Sequence, residues 1–581
     1  MRKALKRVHF IQEAFLIALL IALINNYFGE KEVVILADGK GYFDYLPALV
    51  IYQDLNFNYI DTLVTDYYNH ADFNQGINPV INDKKIDKYF AGTALVQLPF
   101  FLVAHLTAIT FDQFQADGYS LIYQRFVAIA ALFYLFLGLY WLRKILQLQF
   151  IAPLWIFVLQ LMVLFCSSLM HYAHADASFS HIYSFAFVNL FIYSILKFKE
   201  GHQVKFIYLT AIALGIIGLI RPVNVLIVLF IPFLFDSFRQ FLSTIKYILY
   251  RNPFHLSFSL LVIFAIILIQ PLIWYVQTGM WYLKPYQDEW FILSRPNQVN
   301  FLFSYRKGFF IYAPAFFFLI TGGALVYLIR RNYWKMIGFF AASFLTIYVL
   351  SSWWAWWYGS SFGSRVMIEY YGFFILFGSS LFTVKNTMVK AFSALLVIPF
   401  AYMAILQTYQ YQHHILHWSA MNKQRYWQVF LKTEEKFSGL FYSNYFDPGS
   451  KEVLFHKELA PPQLQDFTTH NSILIDSINL NDQIPDLYKV DKINIQLNLD
   501  INYRKGIDQV LVVLDDKYGN NRYYHQMHVF KGGGIDNYSG RASLNYSFDQ
   551  SNTPESTLKL YYLYYEEGTS IDHAELHLYG W

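Results

Sequence analysis

The side chains able to do chemistry gather in four polar stretches, 37–82, 171–181, 277–307 and 351–365, set between long apolar runs. The first carries Asp38 and Asp44 with Tyr42 between them. Such carboxylates can take a proton from a hydroxyl. The second reads His-Tyr-Ala-His-Ala-Asp-Ala-Ser-Phe-Ser-His and brings His174, Asp176 and His181 close in sequence. These are metal-ligand types, but the spacing is no tight zinc motif, and a polar turn is the plainer reading. The last two stretches hold cations: Lys284, Arg306, Lys307 and, after a Gly/Ser-rich bend, Arg365. Arg221 stands apart, in a tight turn with Pro222. Arginines in these places either grip an anion through a planar fork or anchor headgroups. Trp353, Trp354, Trp356 and Trp357 precede Tyr358 as a dense aromatic patch whose default reading is an interfacial belt.

The elements that must position these groups are membrane spans. Of 581 residues, 56% are hydrophobic, 20% aromatic and only 14% charged, against about 25% charged in a soluble domain. The apolar residues come in runs of about 18 to 22, the length that crosses the hydrocarbon. A net charge of +4 with no long basic run gives nucleic acid no footing. The single cysteine, Cys166, lies in an apolar run and forms no intramolecular disulfide.

Basic residues orient the runs, because Lys and Arg collect on the cytoplasmic side. Arg2, Lys3, Lys6 and Arg7 put the N-terminus inside, and the run 8–28, ending without a small-residue cleavage site, reads as a retained first span. It delivers residues 29–118 outside. Within them, 90–111 is apolar but contains Thr93, Gln97, Pro99 and His105. Laying that run along the interface keeps Arg143 and Lys144 cytoplasmic. Ten further runs then alternate: 121–142, 153–169, 180–196, 206–220, 223–235, 256–274, 309–329, 336–350, 367–382 and 391–406. The expected architecture is an α-helical polytopic membrane protein with about eleven spans, covering 1–407. After a linker at 408–441, the apolar residues of 442–581 alternate, as in Ile493, Ile495, Leu497, Leu499 and Ile501. Period two predicts strands, and their number predicts a small extracytoplasmic β-sandwich.

Against this frame, residues 37–49, Ala-Asp-Gly-Lys-Gly-Tyr-Phe-Asp-Tyr-Leu-Pro-Ala-Leu, resemble the start of the first outer loop in GT-C membrane glycosyltransferases. The stretch 88–101, Lys-Tyr-Phe-Ala-Gly-Thr-Ala-Leu-Val-Gln-Leu-Pro-Phe-Phe, is similar to the amphipathic segment closing that loop in the aminoarabinose and mannosyl transferase branches. His-Ile-Tyr-Ser-Phe from His181, Ile-Arg-Pro-Val-Asn from Ile220 and Trp-Tyr-Gly-Ser-Ser-Phe-Gly-Ser-Arg from Trp357 resemble stretches common in bacterial members. The resemblance implies a polyprenyl-phosphate or -diphosphate sugar donor, transfer to a glycan, lipid or protein acceptor outside the cytoplasm, and a bacterial inner-membrane location. It makes Asp38 the catalytic carboxylate, with Asp44 as competitor. Donor phosphate then falls to Arg221, Arg306, Arg365 and Lys284, and lipid or sugar contacts to Tyr42, Trp356, Trp357 and Tyr358. Some members also hold a divalent metal ion, for which His174, Asp176 and His181 are the candidates.

Three other classes compete. A lipid-linked glycan transporter or flippase calls for ionisable groups inside the spans, where few are seen. A polysaccharide polymerase or ligase shares the topology and donors. A scaffold would use the outer domain to bind a partner.

Overall fold

The structure, a computed structural model, describes residues 2–28, 33–66, 77–287, 289–434, 437, 438 and 441. In the C-terminal region it describes 452–459, 472–484, 492–503, 509–515, 521–528, 538–549, 557–563 and 570–580. Parts of the expected first outer loop, 29–32 and 67–76, and the start of the tail at 442–451 lie outside these. The chain forms two units, Met1–Thr408 and Tyr409–Trp581.

Every apolar run of the first unit is helical, as it must be where no water can satisfy the backbone. Among the described residues, eight helices are long and apolar enough to cross a bilayer, from His9–Tyr27 to Thr387–Gln412. A ninth arises if Pro222–Leu234 and Phe238–Arg251, bent by 114°, are one broken span. Pro153–Phe165, Lys205–Ile220 and Pro314–Ile329 are shorter apolar helices. The first unit is therefore a multi-pass membrane domain. Polar side chains set several helix starts: Ser237 accepts from the Gln240 N–H, Asn332 from Lys335, and Asn386 from Met388 and Val389.

One of the eight is Gly92–Thr110, the run expected to lie along the interface. Its 19 residues rise about 28 Å at 1.5 Å each, which is bilayer length. The helix runs antiparallel to Leu121–Leu148, with the Tyr134 hydroxyl donating to Val96 O (2.9 Å) and His105 Nδ1 meeting the Tyr123 hydroxyl (2.7 Å). Two of its polar residues, awkward against lipid, are covered by protein. Thr93 and Gln97 are buried, and Gln97 Nε2 donates to the Tyr183 hydroxyl at 2.7 Å.

Leu121–Leu148 also extends past the expected end at 142. Arg143 is not in a loop but buried in this helix, where its Nε donates to Glu13 Oε1 at 2.5 Å. Gln160 Nε2 reaches the same oxygen at 3.2 Å. Neither charge would be stable alone in an apolar helix pair. Together they fix the N-terminal part of the first helix beside the C-terminal part of Leu121–Leu148.

The second unit contains two four-stranded antiparallel sheets. One is ordered Glu452–Leu459, Ser570–Gly580, Lys492–Tyr503, Tyr538–Asp549, and the other Ser472–Asn479, Thr557–Leu563, Gln509–Asp515, Asn521–His528. Ile493, Ile495, Leu497 and Leu499 are all fully buried, so the alternation does mark one inward face. The expected linker is partly built: Lys423–Val429 is a helix, and Gln410 Nε2 donates to Val429 O and Lys432 O.

Gly92 starts its helix against the turn that carries Arg221. A Cβ there would meet the Ile220 backbone nitrogen at 2.3 Å, and backbone cannot rotate away. Gly92→Val is expected to cost about 1–3 kcal/mol, read as a lower unfolding temperature of the purified protein; an unchanged transition would contradict this packing.

Candidate functional site

Helix Ala37–Pro47 opens on Ala37, whose φ of 48° is left-handed and uncommon for a residue with a Cβ. Asp38 follows in the first turn. The helix is held close by two glycines: a Cβ on Gly39 would meet Ser178 Oγ at 1.9 Å, and one on Gly41 would meet the Tyr89 ring at 2.3 Å. Asp38 therefore faces Tyr89 on one side and the 357–365 bend on the other. The Tyr89 hydroxyl donates to Asp38 Oδ1 at 2.6 Å, and Arg365 Nη2 donates to Oδ2 at 2.5 Å. Tyr89 is itself fixed, because its backbone N–H donates to Asp87 Oδ1 (2.8 Å) and its carbonyl accepts from the Tyr45 hydroxyl (2.7 Å).

The two candidate carboxylates have opposite surroundings. Asp44 is 0% exposed, its Oδ2 on Lys40 Nζ at 2.6 Å and its Oδ1 on the Tyr119 hydroxyl at 2.7 Å. Asp38 retains 29% of its side-chain surface. Burial pushes the Asp38 carboxyl up, but the Arg365 charge and the Tyr89 hydrogen bond outweigh it and hold the group below its ordinary value. Burial pushes Asp44 up despite Lys40 and Tyr119. Of the two, only Asp38 can touch a substrate.

Arg365 ends the bend, in which Tyr358, Gly359 and Gly363 are all left-handed with φ of 56°, 62° and 60°. Its guanidinium carbon lies 5.2 Å from the Phe179 ring centroid. Beyond the bond to Asp38, its Nε and Nη1 are buried with no hydrogen-bond partner among the described residues. Arg221 acts electrostatically on Tyr42 and Arg365, and its Nη1 lies 3.4 Å from Glu369 Oε1. Arg306 stacks on Trp357 at 3.7 Å. Next to it Lys307, 3% exposed, donates to Gly359 O and to Ser361 Oγ (2.6 Å), all neutral partners. Burial drives the Lys307 ammonium well below its ordinary value, and Arg365 and Arg306 push the same way. Two arginines and the buried amine of Lys307 thus flank one bend, with Arg221 alongside, an arrangement of donors that accepts an anion.

The remaining expected residues divide. Tyr42 packs on Tyr89 with ring centroids 4.7 Å apart, at the site. Tyr358 is buried and its hydroxyl donates to Leu350 O at 2.8 Å, so it holds the bend. Trp356 packs partly buried against the helix core. Lys284 is exposed over the Trp290 ring and is not brought into the cation group. The metal trio does not form. His181 Nδ1 pairs with Glu369 Oε1 at 2.9 Å, and Asp176 Oδ2 with His171 Nε2 at 2.9 Å. Among the described residues no three His, Cys, Asp or Glu side chains are placed to hold a metal ion.

Tyr89, Asp87 and Glu369 stand at the candidate site without having been singled out from the sequence, whereas Lys307 was already among its cations. Glu369 offered a signal, an acidic residue inside the apolar run 367–382, where a carboxylate persists only with partners. Here they are His181, Arg221 and Asn224, whose Nδ2 lies 3.4 Å away.

No protein-family model and no curated protein matches the chain. Among solved structures it is similar to the arabinosyltransferase EmbB from Mycobacterium smegmatis at 9% identity and a TM-score of 0.34, over 85% of this chain and 59% of that one. The chain thus spans less than two thirds of that structure's length.

Removing Asp44 would take from the buried Lys40 ammonium the carboxylate it meets at 2.6 Å. Asp44→Ala is expected to destabilise the protein by about 3–5 kcal/mol, while Asp38→Asn, which keeps its Tyr89 contact, leaves a folded product. Thermal unfolding of the two purified variants checks this, and equal losses would contradict the division of roles.

Proposed function

We propose that this chain is an integral membrane glycosyltransferase of the GT-C type, moving a sugar from a polyprenyl-phosphate or -diphosphate donor to a glycan, lipid or protein acceptor at the outer face of a bacterial inner membrane, with the C-terminal unit extracytoplasmic. The observation that carries the reading is a half-open carboxylate, Asp38, hydrogen-bonded to an arginine whose other N–H groups have no partner among the described residues, beside further cations.

The chemistry matches those groups. An acceptor hydroxyl with a pKa far above 7 must lose its proton as its oxygen attacks the anomeric carbon, and Asp38 takes that proton as general base. The bond from the anomeric carbon to the phosphate oxygen breaks, and its electron pair leaves with the lipid phosphate. Arg365, with Arg221, Arg306 and Lys307, is the set that meets the leaving charge. A single displacement inverts the anomeric centre. Tyr42 and Trp357 offer ring faces to sugar or prenyl chain.

One observation favours a second reading. Glu369 and His181 are ionisable groups buried inside helical spans, as a lipid-linked glycan transporter would have. Their direct pairing with Arg221, at the candidate site, fits the transferase equally.

In purified protein supplied with a lipid-linked sugar, Asp38→Asn is expected to lower transfer by about 10²–10⁴-fold while the protein still folds, losing no more stability than the Arg365 contact, about 1–3 kcal/mol. Mass spectrometry of lipid-linked intermediates from cells carrying that variant should show one donor accumulating. Undiminished transfer by both Asp38→Asn and Asp44→Asn would defeat the proposal.

A further inference from the structure

Asp38 is held at both oxygens, by Tyr89 on Oδ1 and Arg365 on Oδ2. Those contacts stabilise the anion and so oppose its taking a proton. A base kept this way would be weak whenever it is called on. Arg365, in contrast, is under-used. A guanidinium has five N–H groups in a rigid plane, yet here Nη2 serves Asp38 while Nε and Nη1 are buried with no hydrogen-bond partner among the described residues. Buried donors left unmet cost about 1–3 kcal/mol each, more on a charged group.

Both planar forks of a guanidinium include Nη2, one pairing it with Nε and the other with Nη1. An anion that takes two N–H groups at once therefore also engages Nη2, through its second hydrogen or in place of Asp38, and the carboxylate and the anion then compete for one guanidinium charge. Phosphate is such an anion, and its two-point grip outweighs a single bond to a carboxylate. The groups facing Arg365 favour arrival of negative charge: Arg221 and Lys307 are near, and Lys307 has only neutral oxygens as hydrogen-bond partners.

We infer that Arg365 is shared between Asp38 and the donor phosphate, so that donor binding draws the guanidinium off the carboxylate and only then frees Asp38 to act on an acceptor. This rests on the phosphate-linked donor proposed above. It adds an order of events. Without donor, Arg365 restrains the base; with donor, the same residue holds the leaving group. Tyr89 stays on Asp38 throughout as a positioning residue, keeping the carboxylate aimed at the acceptor. The arrangement would limit wasteful attack by water, since the base becomes competent only when a phosphate is seated.

Electron cryomicroscopy of the full chain in zwitterionic-lipid nanodiscs, with and without polyprenyl phosphate, tests this. The expected result is Arg365 within hydrogen-bond distance of phosphate oxygens and beyond about 3.5 Å from Asp38, with the Tyr89 contact kept. Phosphate bound with the Arg365–Asp38 bond intact overturns the inference while leaving the transferase reading standing. Nanodiscs containing phosphatidylglycerol and no polyprenyl phosphate form a further arm. If that lipid alone displaces Arg365, the residue answers any headgroup and the inference fails. Binding measurements add a second readout: Asp38→Asn should bind polyprenyl phosphate about tenfold more tightly than wild type, and Tyr89→Phe should not. Equal tightening in both variants would mean general loosening of the site and would overturn the inference. Absence of polyprenyl phosphate binding to wild type and both variants would overturn the donor reading with it.

Discussion

Asp38 and Arg365 stand 327 positions apart in sequence and meet at 2.5 Å. That contact joins the first helix after the first span to the bend that ends in the last third of the membrane unit, and everything chemical in the structure lies around it. Two unlike charges in a poorly hydrated place attract far more strongly than they would in water, so a single contact can fix the approach of two long-separated segments. The glycines at 39 and 41 make the approach sterically possible, and the left-handed residues of the bend turn Arg365 toward it.

The same constraint recurs at several charges buried in the membrane unit. Lys40 pairs with Asp44, Arg143 with Glu13, and Glu369 with His181 and Arg221. An isolated ion at these depths would cost several kcal/mol, so each has an ion partner within its reach. Lys307 departs from the pattern, bonding to a carbonyl and a hydroxyl only. Its departure falls at the bend, beside the arginine with unmet N–H groups.

Much of the architecture was legible in the sequence because hydrocarbon leaves the backbone few choices. Each of the eleven apolar runs read as a span is helical, and the period-two stretches of the tail are strands. Asp38, Arg221, Arg306 and Arg365 stand together because polar groups excluded from lipid must collect where the helices end. Less was legible where a side chain's partner lies on a distant element. Thr93 and Gln97 marked a helix that is interfacial or covered by protein, but nothing in the sequence says which element buries them. His174, Asp176 and His181 are close in sequence and divided in space, since His181 turns to Glu369 and Asp176 to His171. Tyr89 lay inside a stretch already singled out, yet nothing local marks which of 47 tyrosines will touch a carboxylate.

The account stands on the Asp38–Arg365 contact being energetically real, and a double-mutant cycle measures that directly. Unfolding of the wild-type protein, Asp38→Asn, Arg365→Gln and the double variant should give a coupling of about 1–3 kcal/mol, with the double variant less destabilised than the sum of the singles. Strict additivity would show that the two residues do not hold each other, and the site built around them would have no foundation.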